Sequence, residues 1–313
     1  MKNEIRTEFL GVELSSPLVL PAGVLDISFS SMNQVSAVGA GLVTTKSLTI
    51  ESRKGHDGPV VAEVEGGMLN AMGLCNPGID AGLEELKLLK TAAEADVEGP
   101  GNCPVNVSIF ATDVNGFSDL AERVNNSEAD FLELNLSCPN VMDEFGVPLA
   151  ASEKTVAEII TAVKSVCVKP VIAKLSPNVT SLTRIAGAAA EAGADALCMI
   201  NTLGPGLEID IEAGRPVLSN ISGGLSGPCV KPVALRLVYE CRKSGLSLPI
   251  IGMGGITTGE DAVQMLMAGA DLVGVGTAVY YRGPGVFGLI NEELLSFLKR
   301  KGLESITDIN RII

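Results

Sequence analysis

Ten residues, Phe131-Leu-Glu-Leu-Asn-Leu-Ser-Cys-Pro-Asn140, run from apolar sequence into amides, a hydroxyl, a thiol and a proline. Phe131, Leu132, Leu134 and Leu136 read as a buried strand, and Pro139 ends the ladder just after Cys138 because proline has no N–H to donate. A thiol and two amides are thereby presented at a strand's C-terminal end, the edge at which parallel α/β sheets and barrels bind ligands. A free cysteine titrates near ~8.5, and neighbouring cations lower that value, so Cys138 could act as a general base or as a nucleophile near neutral pH. The residues alone leave both roles open.

Other chemistry-bearing residues sit at comparable places. Lys46 and Lys174 are embedded in strand-like sequence, where a lysine without an anion would suffer a large desolvation cost or lose its charge; an anionic ligand removes the difficulty. Gly254-Gly255 and Gly276-Thr277 follow two late apolar runs, and glycine permits main-chain N–H groups to approach phosphate oxygens closely. Asn70 lies in the glycine-rich yet apolar stretch Gly66–Gly78, which is expected to fold over a ligand. The one histidine, His56, stands in a Lys-Gly-His-Asp-Gly loop and reads as a solvated turn residue, so acid–base work falls largely to other groups.

These residues need elements to position them. Eight short apolar runs stand out: Pro17–Gly23, Gly41–Ser47, Pro104–Phe110, Phe131–Ser137, Pro170–Ser176, Ala196–Thr202, Pro249–Ile256 and Leu272–Ala278. Between them, residues 81–95, 153–168, 181–193, 230–244, 260–270 and 285–300 carry apolar residues at three- and four-residue spacing, as amphipathic helices do. Thr258 with Asp261 predicts a capped helix start, and Gly193 and Gly269 mark helix ends. Strands alternating with helices imply a parallel sheet, and eight strands close a (β/α)8 TIM barrel. Such a barrel needs ~250 residues. The surplus falls mainly in residues 48–103 and 203–229, two loop excursions leaving strand C-termini, where active sites are built. No linker interrupts the pattern, so residues 1–313 read as a single domain.

Composition narrows the function classes. The chain has 313 residues, 46% of them hydrophobic, and a net charge of −14 without a basic cluster, which argues against nucleic acid as partner. Apolar runs stop well short of the ~20 residues of a membrane span, and the N-terminus lacks a signal peptide's apolar core, so a soluble cytoplasmic protein is expected. The cysteines at 75, 103, 138, 167, 198, 229 and 241 are odd in number and show no C-x-x-C spacing, which argues against a disulfide framework, a metal site or a cluster. Cys103, Cys167, Cys198 and Cys241 read as small buried hydrophobes.

With Asn135-Leu-Ser-Cys-Pro-Asn140, Gly66–Gly78 and Gly223-Gly-Leu-Ser-Gly-Pro228 followed by Lys231-Pro232, the chain resembles dihydroorotate dehydrogenases of the soluble, cysteine-base class from Pro17 to about Ile306. It is most similar to the NAD-linked subclass. There the catalytic subunit binds FMN and works beside a second subunit carrying FAD and a [2Fe–2S] cluster. No G-x-G-x-x-G fingerprint or cluster-forming cysteine spacing is present here, so electrons bound for NAD would need that other polypeptide.

The resemblance implies oxidation of (S)-dihydroorotate to orotate in de novo pyrimidine (UMP) biosynthesis, with one FMN per chain. Cys138 would take the C5 proton while C6 gives hydride to FMN. Asn70, Asn135, Asn201 and Thr202, with backbone from Ala71, Met72, Gly73 and Leu74, would hold the pyrimidine and its carboxylate. Lys46 would face both flavin and substrate. Ala22, Gly23, Ser47, Ser108, Asn135, Ile200, Gly227, Gly254, Gly255, Gly276 and Thr277 would hold the FMN, and Lys174 would stabilise negative charge on its reduced ring. A homodimer, or a heterotetramer with the iron–sulfur FAD subunit, is implied.

Three departures stand out. The chain reads His56-Asp-Gly-Pro-Val60 where many relatives carry Asn-Pro-x-Pro-Arg, Ser108 where the subclass usually has asparagine, and Cys75 in place of glutamine. Competing functions are a homodimeric enzyme that uses fumarate directly, a dihydropyrimidine dehydrogenase-like enzyme acting on uracil or thymine, and a non-enzymatic barrel scaffold. Histidine usually follows Ser-Cys-Pro in the dihydropyrimidine enzymes, whereas Asn140 matches the orotate class.

Overall fold

The computed structural model describes residues 4–95, 103–136 and 152–313. Eight strands form its centre: β1 (Leu18–Leu20), β2 (Leu42–Thr44), β3 (Val105–Ile109), β4 (Phe131–Asn135), β5 (Val171–Lys174), β6 (Ala196–Met199), β7 (Ile250–Met253) and β8 (Leu272–Gly274). They pair in parallel in chain order, and β8 closes on β1 to give a barrel. Each lies inside one of the eight apolar runs, and every strand residue is buried, as expected when one face meets the barrel interior and the other meets helices.

The helices are α1 (Phe29–Ala37), α2 (Ile79–Ala95), α3 (Val114–Asn125), α4 (Glu153–Val166), α5 (Leu182–Glu191), α6 (Lys231–Lys243), α7 (Gly259–Met267), α8 (Ala278–Arg282) and α9 (Val286–Lys301). Six correspond to the periodic stretches above. Helix α7 starts with the expected capping box between Thr258 and Asp261. Sequence periodicity does not single out α1 and α3: Ser30, Ser31, Asn33 and Ser36 dilute the first, and Asn115, Gly116 and Ser118 occupy the start of the second. Tertiary burial decides both, through Met32 and Val35 in α1 and Phe117, Leu120, Ala121 and Val124 in α3.

A small apolar cluster of Ala62, Leu69 and Leu218 lies in the excursions, and two larger ones hold the barrel. One fills the space between barrel and helices, and the other fills the lower barrel interior with Phe9, Leu14, Val19, Leu42, Phe131, Ile172, Ala196, Cys198 and Ile251 among others. A hairpin of Thr7–Phe9 and Val12–Leu14 plugs the barrel's N-terminal end, where Phe9 meets Phe131 edge-on at 5.7 Å.

The two excursions meet. Strands Val61–Val64 and Gly67–Asn70 come from the first, Leu203–Gly206 and Gly223–Ser226 from the second. They form one four-stranded antiparallel sheet in the order 203–206, 223–226, 67–70, 61–64. Among the described residues no helix is long and apolar enough to cross a membrane, and the six described cysteines are free thiols.

Candidate active site

Above its apolar floor the barrel interior turns polar. Thr44, Asn106, Ser108, Glu133, Asn135 and Lys174 lie along β2 to β5, with Thr44, Asn135 and Lys174 at the strands' C-terminal ends, all buried. Strand register sets Thr44 beside Asn106, Ser108 beside Glu133, and Asn135 beside Lys174. The Asn135 amide donates to Ser47 Oγ at 3.0 Å, and Ser47 Oγ lies 2.9 Å from Ser108 Oγ. The Ser47 and Ser108 hydroxyls therefore form a buried pair beside the Asn135 amide.

The buried lysines have protein carboxylates nearby. Lys174 Nζ lies 3.6 Å from Glu133 Oε1; a main-chain hydrogen bond of 2.9 Å from Lys46 N to Asp26 O joins those two segments, and the Lys46 charge acts on the Asp26 carboxyl. Burial pushes the Asp26 carboxyl up, and the nearby Lys46 ammonium opposes that shift. Sequence reasoning assigned the compensation to a ligand; part of it is Asp26, which follows β1, and Glu133. Neither carried a sequence signal, because an isolated acidic residue in a loop or strand usually faces solvent.

Asn70 ends the roof strand Gly67–Asn70, and its amide donates to Gly224 O at 3.3 Å. Gly224 packs so tightly on Thr202 that a Cβ there would collide with Thr202 Oγ1. Asn201 accepts from Thr202 N at 2.8 Å through Oδ1, while its own N–H donates to Leu175 O at 3.1 Å, just past Lys174. Asn70, Thr202, Asn201 and the β5 end thus form one chain of contacts.

The segment Ala71–Leu74 presents a row of donors. Its Ala71 and Met72 carbonyls accept from His56 Nδ1 at 3.0 Å and His56 N at 3.2 Å, and Leu74 O accepts from Asn76 Nδ2 at 2.8 Å. The N–H groups of Met72, Gly73 and Leu74 have no acceptor among the described residues. Consecutive unpaired N–H groups make an anion-binding concavity suited to a carboxylate. His56 is exposed, as a solvated turn residue is expected to be, yet its ring packs on Gly73 and helps shape this segment.

Asn76 was missed altogether, although it stands inside the quoted Gly66–Gly78 stretch. It is buried, and its Oδ1 accepts from Thr49 N at 3.2 Å and Gly78 N at 2.9 Å. It ties the segment after β2 to the donor row. An Asn-Pro-Gly sequence signals a turn and gives no hint of that second attachment.

The ends of β7 and β8 supply a second cradle. Gly255, with φ +76°, lies back to back with Lys231 and Gly227: a Cβ would meet Lys231 N at 2.8 Å and Gly227 O at 2.9 Å. Gly227, with φ +99°, approaches Gly67 Cα equally closely. The N–H groups of Gly254, Gly255, Gly276 and Thr277 have no acceptor among the described residues. Ile200 packs on Gly254, and Thr277 Oγ1 donates to Ser226 Oγ at 2.9 Å. Ala22 and Gly23 follow β1 on the same rim, where Gly23 N donates to the Asp26 carboxylate. Cys138 lies outside the described residues, as do Ser137, Pro139 and Asn140.

The family model described as dihydroorotate dehydrogenase matches residues 4–298. The chain belongs to the dihydroorotate dehydrogenase family. Among curated relatives, dihydroorotate dehydrogenase B (NAD(+)), catalytic subunit, of Pyrococcus furiosus is 45% identical over 97% of both chains. The proteins of the same name from Pyrococcus abyssi and Methanothermobacter thermautotrophicus are 44% and 41% identical, again over 97% of each chain. Dihydroorotate dehydrogenases are flavin-dependent, and the residues here fit a flavin nucleotide: unpaired N–H groups at a cradle too tight for side chains suit a phosphate, and a buried ammonium suits a ring that becomes anionic. Among the described residues no cluster of His, Cys, Asp or Glu could hold a metal ion.

Proposed function

We propose that this protein is the catalytic subunit of an NAD-linked dihydroorotate dehydrogenase, oxidising (S)-dihydroorotate to orotate with FMN as resident cofactor. The observation that carries the reading is the convergence of Asn70, the Met72–Leu74 donor row, Asn135, Asn201, Thr202, Lys46 and Lys174 on one barrel mouth, beside the Gly254-Gly255 and Gly276-Thr277 cradle. Asparagine amides match a substrate ring that offers carbonyl acceptors and N–H donors side by side. The donor row takes the substrate carboxylate.

In this reading the bound FMN supplies the acceptor for the C6 hydride. The protein does the rest. Cys138, following β4, removes the C5 proton; Lys46 and Lys174 hold positive charge near ring and substrate; the roof sheet covers the mouth and excludes water. Ala22, Gly23, Ser47, Ser108, Ile200 and Gly227 complete the flavin envelope.

The relatives' name, with its NAD(+) and its catalytic subunit, supports a separate electron-transfer polypeptide. We assign it FAD and a [2Fe–2S] cluster, in a heterotetramer built on a homodimer of this chain in the cytoplasm. Residues 1–313 act as a single domain in that assembly.

The test is anaerobic mixing of the purified chain with dihydroorotate. Yellow protein with one FMN per chain, bleached by dihydroorotate and spectrally perturbed by orotate in preference to uracil, is the expected result. Colourless protein that refuses FMN would end the reading. Sustained turnover with fumarate and no partner would transfer it to the fumarate-using subclass.

A further inference from the structure

Beneath the mouth lies an ion pair of which the proposed chemistry uses only one member. Glu133 on β4 and Lys174 on β5 face each other across 3.6 Å with side chains only 2% and 4% exposed. Glu133 Oε2 accepts one long hydrogen bond, 3.5 Å from Asn106 Nδ2, and Oε1 has no hydrogen-bond partner among the described residues. A dry, poorly hydrogen-bonded ion pair contributes little to stability, and apolar residues of similar volume often serve as well. Its charge, rather than its packing, is what the site keeps.

Three groups face Lys174: Glu133 from β4, Cys198 from β6, which is its register partner, and Asp26 from the segment after β1, itself beside Lys46. Burial drives the ammonium toward neutrality, and Glu133 is the strongest influence opposing it. The Cys198 thiol is pushed well above its ordinary range by burial, so it is uncharged near neutral pH. Burial likewise raises the Asp26 carboxyl, which makes it a weaker anchor.

We propose that Glu133 is a positioning residue for the flavin chemistry, holding the Lys174 ammonium in place and protonated in both redox states of the bound cofactor. This rests on the FMN reading above. The electron and proton balance follows from it. Dihydroorotate loses two hydrogens: a hydride from C6, carrying two electrons and one proton, goes to the flavin, and a proton from C5 goes to the Cys138 thiolate. A lysine charged throughout takes up nothing, so flavin reduction couples two electrons to one proton. A lysine neutral beside the oxidised ring would take up a second proton as negative charge developed.

The readout is the midpoint potential of FMN in the loaded protein, titrated against indicator dyes from about pH 6 to about pH 9. For two electrons, each coupled proton makes the potential fall by ~30 mV per pH unit. The wild type should therefore slope by ~30 mV per unit. Glu133→Gln, which keeps the volume and removes the charge, should steepen to ~60 mV per unit, and Glu133→Asp should return toward the wild-type slope. A Glu133→Gln slope equal to wild type overturns the proposal, even if the midpoint itself moves, because Lys174 would then keep its proton unaided. So does a wild-type slope of ~60 mV per unit, which decides the matter even if the variant fails to load flavin. Protein that binds no FMN shows itself in the absorbance before any titration and removes the underlying reading as well.

Discussion

Replacing Asn76 by alanine should weaken orotate binding while leaving flavin content almost unchanged. The side chain is buried and joins three backbone sites: Thr49 N and Gly78 N donate to its Oδ1, and its Nδ2 donates to Leu74 O. Alanine leaves two buried N–H donors and one carbonyl without partners. A group left dry costs ~1–3 kcal/mol. Leu74 is only half-buried, so water can reach its carbonyl, and the two donors set a total of ~2–6 kcal/mol.

The segment can relieve most of that cost by opening locally instead of unfolding the barrel. The population with Met72–Leu74 in binding geometry then falls, and the apparent Kd rises by at least roughly 30-fold. Titrating orotate against the absorbance of bound flavin measures the effect. Asn76→Asp keeps both acceptor contacts and should fall between. An alanine variant that binds orotate within about threefold of wild type would refute the idea that Asn76 anchors the donor row.

Three further outcomes are expected. Cys138→Ala should slow substrate-dependent flavin reduction by ~10²–10⁴-fold with FMN retained, measured by anaerobic stopped flow; a near-normal rate would remove Cys138 from the base role. Gly255→Ala places a Cβ 2.8 Å from Lys231 N at positive φ, so FMN affinity, followed by flavin fluorescence quenching, should drop at least about tenfold; unchanged affinity would clear this glycine of cradle duty. Asp261 accepts from Thr257 and Thr258 and pairs with Lys231; these contacts outweigh burial and hold its carboxyl below the ordinary 3.8. Its stabilisation is therefore present above that value and lost as pH falls through the lower folded-state pKa. Asp261→Asn should lower stability by ~1–2 kcal/mol at neutral pH and by almost nothing at strongly acid pH, in urea titrations. An equal loss at both pH values would show that shape, not charge, matters there.

Much of the fold was legible because both of its periods are strong. All eight strands fall within apolar runs bounded by glycine, proline or polar residues, and six helices match periodic stretches to within two residues at their starts. Helices α1 and α3 were illegible for a physical reason: their serines, asparagines and glycine disfavour helix intrinsically, and burial of one narrow face decides them. The site was legible where unusual residues interrupt apolar sequence, as Lys46, Lys174 and Asn135 do. It was illegible where ordinary residues acquire a role through distant partners. Asp26, Asn76 and Glu133 look unremarkable in the sequence until segments many residues away bring them a lysine or a strand end.

The roof sheet has a consequence for how this protein can change over evolutionary time. Its strand order sets two stretches of chain some 130 residues apart side by side, and Gly223–Ser226 lies directly against Gly67–Asn70. Lengthening either of these two strands by a single residue would turn its own inward-facing row outward and break its pairing with the other. The two insertions should therefore have been gained, trimmed and exchanged only as a matched set, and grafting one onto another barrel without its mate should yield an uncovered mouth.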